Sequence, residues 1–239
     1  MDTTTKAYVL LSGGVDSSTC LGFAIREVGR PLVTAYSVDY GQRHVKEMDH
    51  AKKVAAYFDV PHIVLALPGI PKVMLTDPEA EVPNAAYADL KGVSPTYVPF
   101  RNGQLISRLA GVAAHDIEQH NQKSEFYGTD ERWKGTLYFG AHAEDAAGDA
   151  YPDCRFDFVG SMAAAVYIGS YHSLRLRAPL IEMFKDDIIL AGIKLGVPYH
   201  LTWSCYKGEE LHCGTCPTCR ARKDGFRKAG FPDPTHYAV

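Results

Sequence analysis

The chain has 239 residues, 46% of them hydrophobic and 22% charged, with a formal net charge of −3. Those values fit one soluble α/β domain with a small appendage and exclude disordered or collagen-like chains. The mild acidity argues against a protein whose main work is gripping a nucleic-acid backbone. No apolar run approaches the roughly 20 residues that span a bilayer, and the polar start Met1–Lys6 is not a secretory signal, so a cytoplasmic location with no membrane partner is expected.

Tyr8-Val9-Leu10-Leu11 reads as a short strand buried on both faces. After the break at Ser12-Gly13-Gly14, a helix is expected over Asp16–Arg26, then a strand over Leu32–Val38. Helical spacing of Val45, Met48, Ala51, Ala55 and Phe58 ends near Pro61, and a third strand fits His62–Leu67. Pro68–Pro99 reads as a long loop of the kind that serves as a functional lid. Leu105–His120 is helical, Asn121–Gly135 a solvated polar excursion and Thr136–Gly140 a strand. Phe156–Ile168 is a helix, Leu174–Ala178 is extended, and a helix over Lys185–Leu195 closes at Gly196 and Pro198. The βαβαβ order requires helical crossovers between parallel strands. The predicted class is therefore α/β with a parallel sheet, residues 1–200 forming the main domain and 201–239 a cysteine-rich tail.

Ser12-Gly13-Gly14-Val15-Asp16-Ser17-Ser18 stands between the first strand and the first helix, where an open α/β sheet binds its ligand. Paired glycines let backbone amides turn inward as an anion nest, the serines add hydroxyls, and the helix N-terminus adds partial positive charge. Neither the Walker A pattern nor GxGxxG is present. A plain Gly-Gly turn capped by Asp16 and Ser17 is the bland alternative, but it would not ask for so many specified residues there.

Of six cysteines, Cys205, Cys213, Cys216 and Cys219 cluster near the end of the chain in a C-x7-C-x-x-C-x-x-C pattern. Four thiolates at that spacing suit a closed, structural Zn²⁺ site and a reducing compartment. An iron–sulfur cluster or a redox C-x-x-C pair competes for the same spacing. Lys207, Arg220, Arg222 and Lys223 lie alongside to offset the thiolate charge, and His212 reads as a neighbour rather than a ligand. Cys20 and Cys154 read as packing thiols.

The phosphate loop resembles the S-G-G-x-D-S signature of the ATP pyrophosphatase (PP-loop) superfamily, which implies a Rossmann-like, adenine nucleotide alpha hydrolase-like fold. Further along, Asp39-Tyr40-Gly41-Gln42-Arg43-His44, Tyr97-Val98-Pro99-Phe100-Arg101-Asn102, Tyr151-Pro152-Asp153-Cys154-Arg155 and Ser204-Cys205-Tyr206 look like blocks of the 7-cyano-7-deazaguanine synthase family, in that family's order. The resemblance implies ATP-dependent conversion of 7-carboxy-7-deazaguanine and ammonium to 7-cyano-7-deazaguanine, through an adenylated carboxylate and an amide. It implies ATP and Mg²⁺ at Leu11, Ser12, Gly13, Gly14, Val15, Asp16, Ser17, Ser18, Asp39, Gln42, Arg43, His44, Arg101, Asn102 and Gly140. Asp16, Arg101 and Lys185 would be catalytic, with the two cations facing the α-phosphate and the attacked carboxylate. Glu144, Asp145, Tyr151, Asp153 and Cys154 would hold the base, the acids accepting from its N–H groups and Tyr151 stacking on the ring.

Small-molecule substrates, no nucleic acid and a homodimer follow from the same resemblance. Val15, Phe100, the stretch Glu144–Ala150 and the long excursion at 121–135 depart from the family pattern, which leaves open an enzyme that stops at the amide. A tRNA-modifying PP-loop ligase or thiolase, or a zinc-ribbon nucleic-acid binder with a nucleotide-sensing domain, are the other readings. The first calls for a basic surface and an open cysteine pair, the second for salt-sensitive polynucleotide binding.

Overall fold

A computed structural model describes residues 3–41, 46–70, 73, 76, 77, 94, 96–129, 131–146, 150–207 and 210–239. Its strands are β1 (Thr3–Leu10), β2 (Val33–Asp39), β3 (His62–Ala66), β4 (Arg132–Tyr138) and β5 (Leu174–Arg177). The helices are α1 (Val15–Val28), α2 (Lys46–Tyr57), α3 (Arg101–Phe126), α4 (Ala143–Ala146), α5 (Phe156–Gly169), α6 (Lys185–Lys194) and α7 (Pro217–Ala229). All strands are parallel, in the order β3-β2-β1-β4-β5.

The order reverses at β1: the chain first builds outward through β2 and β3, then returns through α3 to lay β4 on the other side of β1. That reversal opens a crevice at the carboxyl ends of β1 and β4, the switch point where such sheets take ligands. Alternation along β1 covers both faces. Ala7, Val9 and Leu11 meet α1, α2, α6 and α7 on one side, while Tyr8 and Leu10 meet α3 and α5 on the other. No described helix is long and apolar enough to cross a membrane.

Two expectations change. The excursion expected at Asn121–Gly135 is mostly regular structure, because α3 runs on to Phe126 and β4 starts at Arg132. Its helical part is polar because that end of α3 is largely exposed, with Gln122 Nε2 donating back to Glu118 one turn earlier at 2.8 Å. The strands β1 and β4 likewise begin with partly exposed polar stretches that pair only with each other, from Thr3↔Arg132 to Thr5↔Lys134. Hydrophobic runs mark just their buried halves. The tail also contains an unforeseen helix, α7, whose Phe226 is buried edge-on to Tyr199 at 5.4 Å. Of the expected 68–99 loop, residues 71, 72, 74, 75, 78–93 and 95 lie outside the described residues.

Candidate active site

The phosphate loop is drawn tight around Ser17. The Ser12 N–H donates to Ser17 Oγ at 3.1 Å, the two hydroxyls meet at 3.0 Å, and Ser17 Oγ reaches Gly14 O at 3.4 Å. Gly13 has φ +83°, and a Cβ there would lie 2.5 Å from Ala51 N and 2.6 Å from Glu47 O, so the loop rests directly on the backbone of α2. The first amides of a helix have no intrahelical partner, and those of α1 open on a cleft lined by Ser12, Gly14, Val15, Asp16 and Ser17. An anion is the natural occupant.

Opposite the loop, the segment after β4 brings in Gly140, His142, Glu144 and Asp145. Lys185 at the start of α6 is buried, with Nζ 2.7 Å from Asp16 Oδ1 and 3.1 Å from His142 Nε2. His142 Nε2 also lies 3.1 Å from Asp145 Oδ2, and its Nδ1 is buried with no partner among the described residues. Burial works against both charges of the Asp16–Lys185 pair. Their mutual attraction, helped by His142 on one side and Asp145 on the other, wins: Asp16 is held below the ordinary carboxylate value and Lys185 above the ordinary amine value.

Arg101 begins α3 and enters from the third wall. Its Nη1 is 3.5 Å from the Tyr40 hydroxyl, with the guanidinium 5.9 Å from the Tyr40 ring centre. Burial opposes its charge, but Tyr40, Tyr206, Cys154 and Asp153 outweigh it and keep Arg101 firmly cationic. Phe100 before it has φ +54°, a left-handed conformation that is costly for a bulky residue. The ring turns back over Gly103, where a Cβ would sit 2.5 Å from Phe100 Cε1. Gly103 thus leaves the room that the Phe100 ring fills.

Leu11, Asn102 and Cys154 complete the cleft residues foreseen from sequence. Five foreseen residues stand off it. Gly13 lies under the loop, and the buried Ser18 hydroxyl has no partner among the described residues. Asp39 Oδ1 accepts the Gly41 N–H at 3.1 Å. Tyr151 is buried, its hydroxyl on Ser94 and Thr96, so its ring does not face the cleft. Asp153 is buried behind the wall and accepts the Asn102 N–H at 2.9 Å, fixing the start of α3 and hence Arg101. Burial raises the Asp153 carboxyl above its ordinary value despite that bond, and burial with Asp145 and Asp153 holds the Cys154 thiol protonated. Gln42, Arg43 and His44 lie outside the described residues.

The sequence reading missed Glu47, His142, Trp203 and the cleft-lining role of Arg222. Glu47 in the first turn of α2 reads as an ordinary helix-start acid, yet burial, only partly countered by Arg101, pushes it up to about 7. Tyr40 and Tyr206 also line the cleft, and both stood inside recognised blocks. Arg222, expected to lie alongside the cysteines and offset their charge, stands on the helix that carries Cys219. It is buried, with Nε 3.1 Å from Asp233 Oδ1 and Nη1 2.6 Å from Thr202 Oγ1.

The four clustered cysteines are buried, with their sulfurs all within 4.8 Å of one another. Zinc–sulfur bonds of about 2.3 Å in a tetrahedron place sulfurs about 3.8 Å apart, and Cys213 and Cys219 Sγ stand at 3.9 Å. The Lys207 and Cys213 N–H groups point at Cys205 Sγ at 3.4 Å each, and those of Thr215 and Cys216 at Cys213 Sγ at 3.4 and 3.3 Å, the donors that thiolates need. The set fits a closed four-thiolate metal centre. His212 Nε2 instead accepts the Ser204 N–H at 3.0 Å.

A family model described as queuosine biosynthesis protein QueC matches residues 6–230. A protein of Thermoplasma volcanium named 7-cyano-7-deazaguanine synthase is 41% identical over 240 residues, covering 98% of this chain and 91% of its own length. Proteins of the same name from Caldicellulosiruptor bescii and Oceanobacillus iheyensis are 39% and 41% identical, covering 98% and 97% of this chain and 98% of each relative. With the match running through the phosphate loop, the cleft walls and the cysteines alike, the chain belongs to the queuosine biosynthesis protein QueC family.

Proposed function

We propose that the chain is a carbon–nitrogen ligase that converts 7-carboxy-7-deazaguanine, ammonia and two ATP to 7-cyano-7-deazaguanine, two AMP and two pyrophosphates. The observation that carries this reading is that the phosphate loop, the cationic Arg101 and an acid-lined wall open into one cleft at the switch point. Family membership and the relatives' shared name support the substrate.

The two carboxylate oxygens leave one at a time, each on an AMP. In the first half, a carboxylate oxygen attacks the α-phosphate, pyrophosphate departs, and ammonia displaces AMP to give the amide. In the second, the amide oxygen attacks a second ATP, and elimination of AMP with loss of the N–H protons leaves the nitrile. Loop amides with Ser12 and Ser17 hold the departing phosphates, where fixed donors act without reorganising. Arg101 neutralises the carboxylate, which must approach a polyanion. Asn102, Gly140 and the segment 42–44 serve the nucleotide, and Asp39 shapes the turn that leads to that segment. Glu144 and Asp145 face the purine-like base from the cleft, with Cys154 beside them, while Asp153 and Tyr151 support that wall from behind.

Lys185 holds Asp16 in place and balances its charge. Mg²⁺ would supply charge stabilisation on the pyrophosphate, with Asp16 as its protein oxygen. Zn²⁺ at Cys205, Cys213, Cys216 and Cys219 would be structural, so that residues 1–200 carry the chemistry and 201–239 the metal. The exposed apolar face of α5, with Phe156 71% and Ile168 68% accessible, supports a homodimer, and four reduced thiols support a cytoplasmic site of action.

An end-point assay tests the reading. Protein, 7-carboxy-7-deazaguanine, ammonium, Mg²⁺ and ATP are incubated, and base products and AMP are quantified by mass spectrometry. Nitrile with two AMP per product is expected. Amide with one AMP would stop the reaction at the first half, and absence of AMP would overturn the reading.

A further inference from the structure

We propose that Trp203 couples the four-cysteine centre to the phosphate loop, so that metal binding and nucleotide binding strengthen each other. This rests on the ATP-binding reading above and adds a linkage that neither site requires on its own.

The contact is made backbone to backbone. The Trp203 N–H donates to Gly13 O at 2.8 Å, and Trp203 O lies 3.5 Å from the position a Gly14 Cβ would take. Gly13 C=O and Gly14 N–H belong to one planar trans peptide and point in opposite directions. Holding the carbonyl toward Trp203 therefore sets the direction of the Gly14 amide, which sits on the cleft side beside Ser12 Oγ at 3.5 Å. A loop that binds phosphate through its amides depends on that orientation.

Trp203 is in turn held by the metal end of the chain. Its Nε1 donates to Cys205 O at 2.9 Å, and its ring lies 4.1 Å from that of His212, the neighbour of Cys213. Arg222 fastens the start of the same strap, donating to Tyr199 O at 2.9 Å and Thr202 Oγ1 at 2.6 Å, and it projects from the helix that carries Cys219. On the far side the Trp203 ring faces His50 at 5.2 Å, and His50 Nδ1 meets Leu201 O at 2.6 Å. Gly13 is thus gripped between α2 and a strap fastened at one end by α7, which packs on the core through Phe226, and at the other by Cys205, a member of the thiolate cluster. With the cluster unligated, the Cys205 fastening of Trp203 loosens, and the loop amide loses part of its alignment.

Linkage makes the effect reciprocal: the factor by which metal strengthens ATP binding equals the factor by which ATP strengthens metal binding. The test is a zinc competition titration against a chelating dye, with and without saturating MgATP, corrected for zinc bound by the nucleotide itself. About fivefold or greater tightening by MgATP is expected for the native sequence, the lower end of ordinary coupling. Calorimetry should show the same loss of ATP affinity in metal-free protein. Trp203→Ala and His50→Ala should each reduce the ratio to less than about twofold while retaining one zinc per chain; His50 lies far in sequence from every cysteine and keeps the test available if the tryptophan variant fails to fold.

An unchanged zinc affinity in protein shown to bind ATP would overturn the coupling. Intact coupling in both variants would overturn the route through Trp203. If the native protein bound no ATP, the functional reading itself would fall.

Discussion

Lys185 Nζ stands 2.7 Å from Asp16 Oδ1, tying the first residue of α6 to the second residue of the helix that follows the phosphate loop. This pair joins a helix from late in the chain to the first βα turn. Removing one partner leaves a largely buried charge uncompensated. Lys185→Met and Asp16→Asn are each expected to cost about 2–3 kcal/mol, below the usual penalty for a fully enclosed pair because Asp16 keeps partial access to the cleft. The double variant should lose clearly less than the sum, as contacting residues do. Denaturant titrations of the four proteins check this, and strict additivity would show that the pair is not coupled.

The loop's tolerance for substitution is tested most sharply at Gly13. Its φ of +83° disfavours any side chain, and the obstructing atoms, Ala51 N and Glu47 O, are helix backbone that cannot swing aside. Gly13→Ala should therefore move the loop off α2, losing at least tenfold in ATP affinity by calorimetry while the far-UV spectrum stays native. Gly14→Ala has φ −81° and its nearest obstacle at 3.5 Å, and should be much milder. Equal effects at the two positions would refute this account of the loop.

Much of this architecture is legible in the sequence, and the reasons it stops are physical. Buried elements announce themselves: Tyr8–Leu11, the βαβαβ order and the cysteine spacing each follow from apolar runs or ligand geometry. Polar regular structure does not, so the end of α3 and the first halves of β1 and β4 read as solvated chain until their pairing is seen. Site residues divide in the same way. The phosphate loop and Arg101 sit where a turn or a helix start places them. Tyr151 and Asp153 share a block with Cys154, yet a short 3₁₀ turn over Pro152–Cys154 leaves Cys154 on the cleft and the acid behind it. His142 and Glu47 carry no local signature, since their significance comes from neighbours distant in sequence.

Asp116 anchors α3 to the sheet, its Oδ2 taking Lys6 Nζ at 2.6 Å and the Tyr8 hydroxyl at 2.5 Å. Partial burial opposes its charge, but the bonds from Lys6 and Tyr8 prevail and hold the carboxyl below its ordinary value of 3.8. For an acid shifted in that direction, the stabilisation is complete above the unfolded-state value and disappears as pH falls through the folded-state one. Asp116→Asn should thus cost about 1–2 kcal/mol at pH 7. The difference from the native sequence should shrink steadily below about pH 4. Chemical denaturation across pH 3–8 reads the effect, and a constant difference would assign it to packing.

Glu47 behaves in the opposite sense. Burial raises it from an ordinary 4.5 to about 7, with Arg101 only partly compensating. An acid whose folded value exceeds its unfolded one contributes stability that is complete below about 4.5 and is lost as pH rises through about 7. Glu47→Gln should then match the native protein near pH 4.5 and exceed it by about 1–3 kcal/mol at pH 8, a gain of several degrees in Tm. A variant less stable than the native protein at every pH would show instead that Glu47 is ionised and paired. If the stability gain is accompanied by lost nitrile formation, the chain carries a carboxylate that weakens its fold at neutral pH, and that cost is characteristic of a group retained for work in an active site.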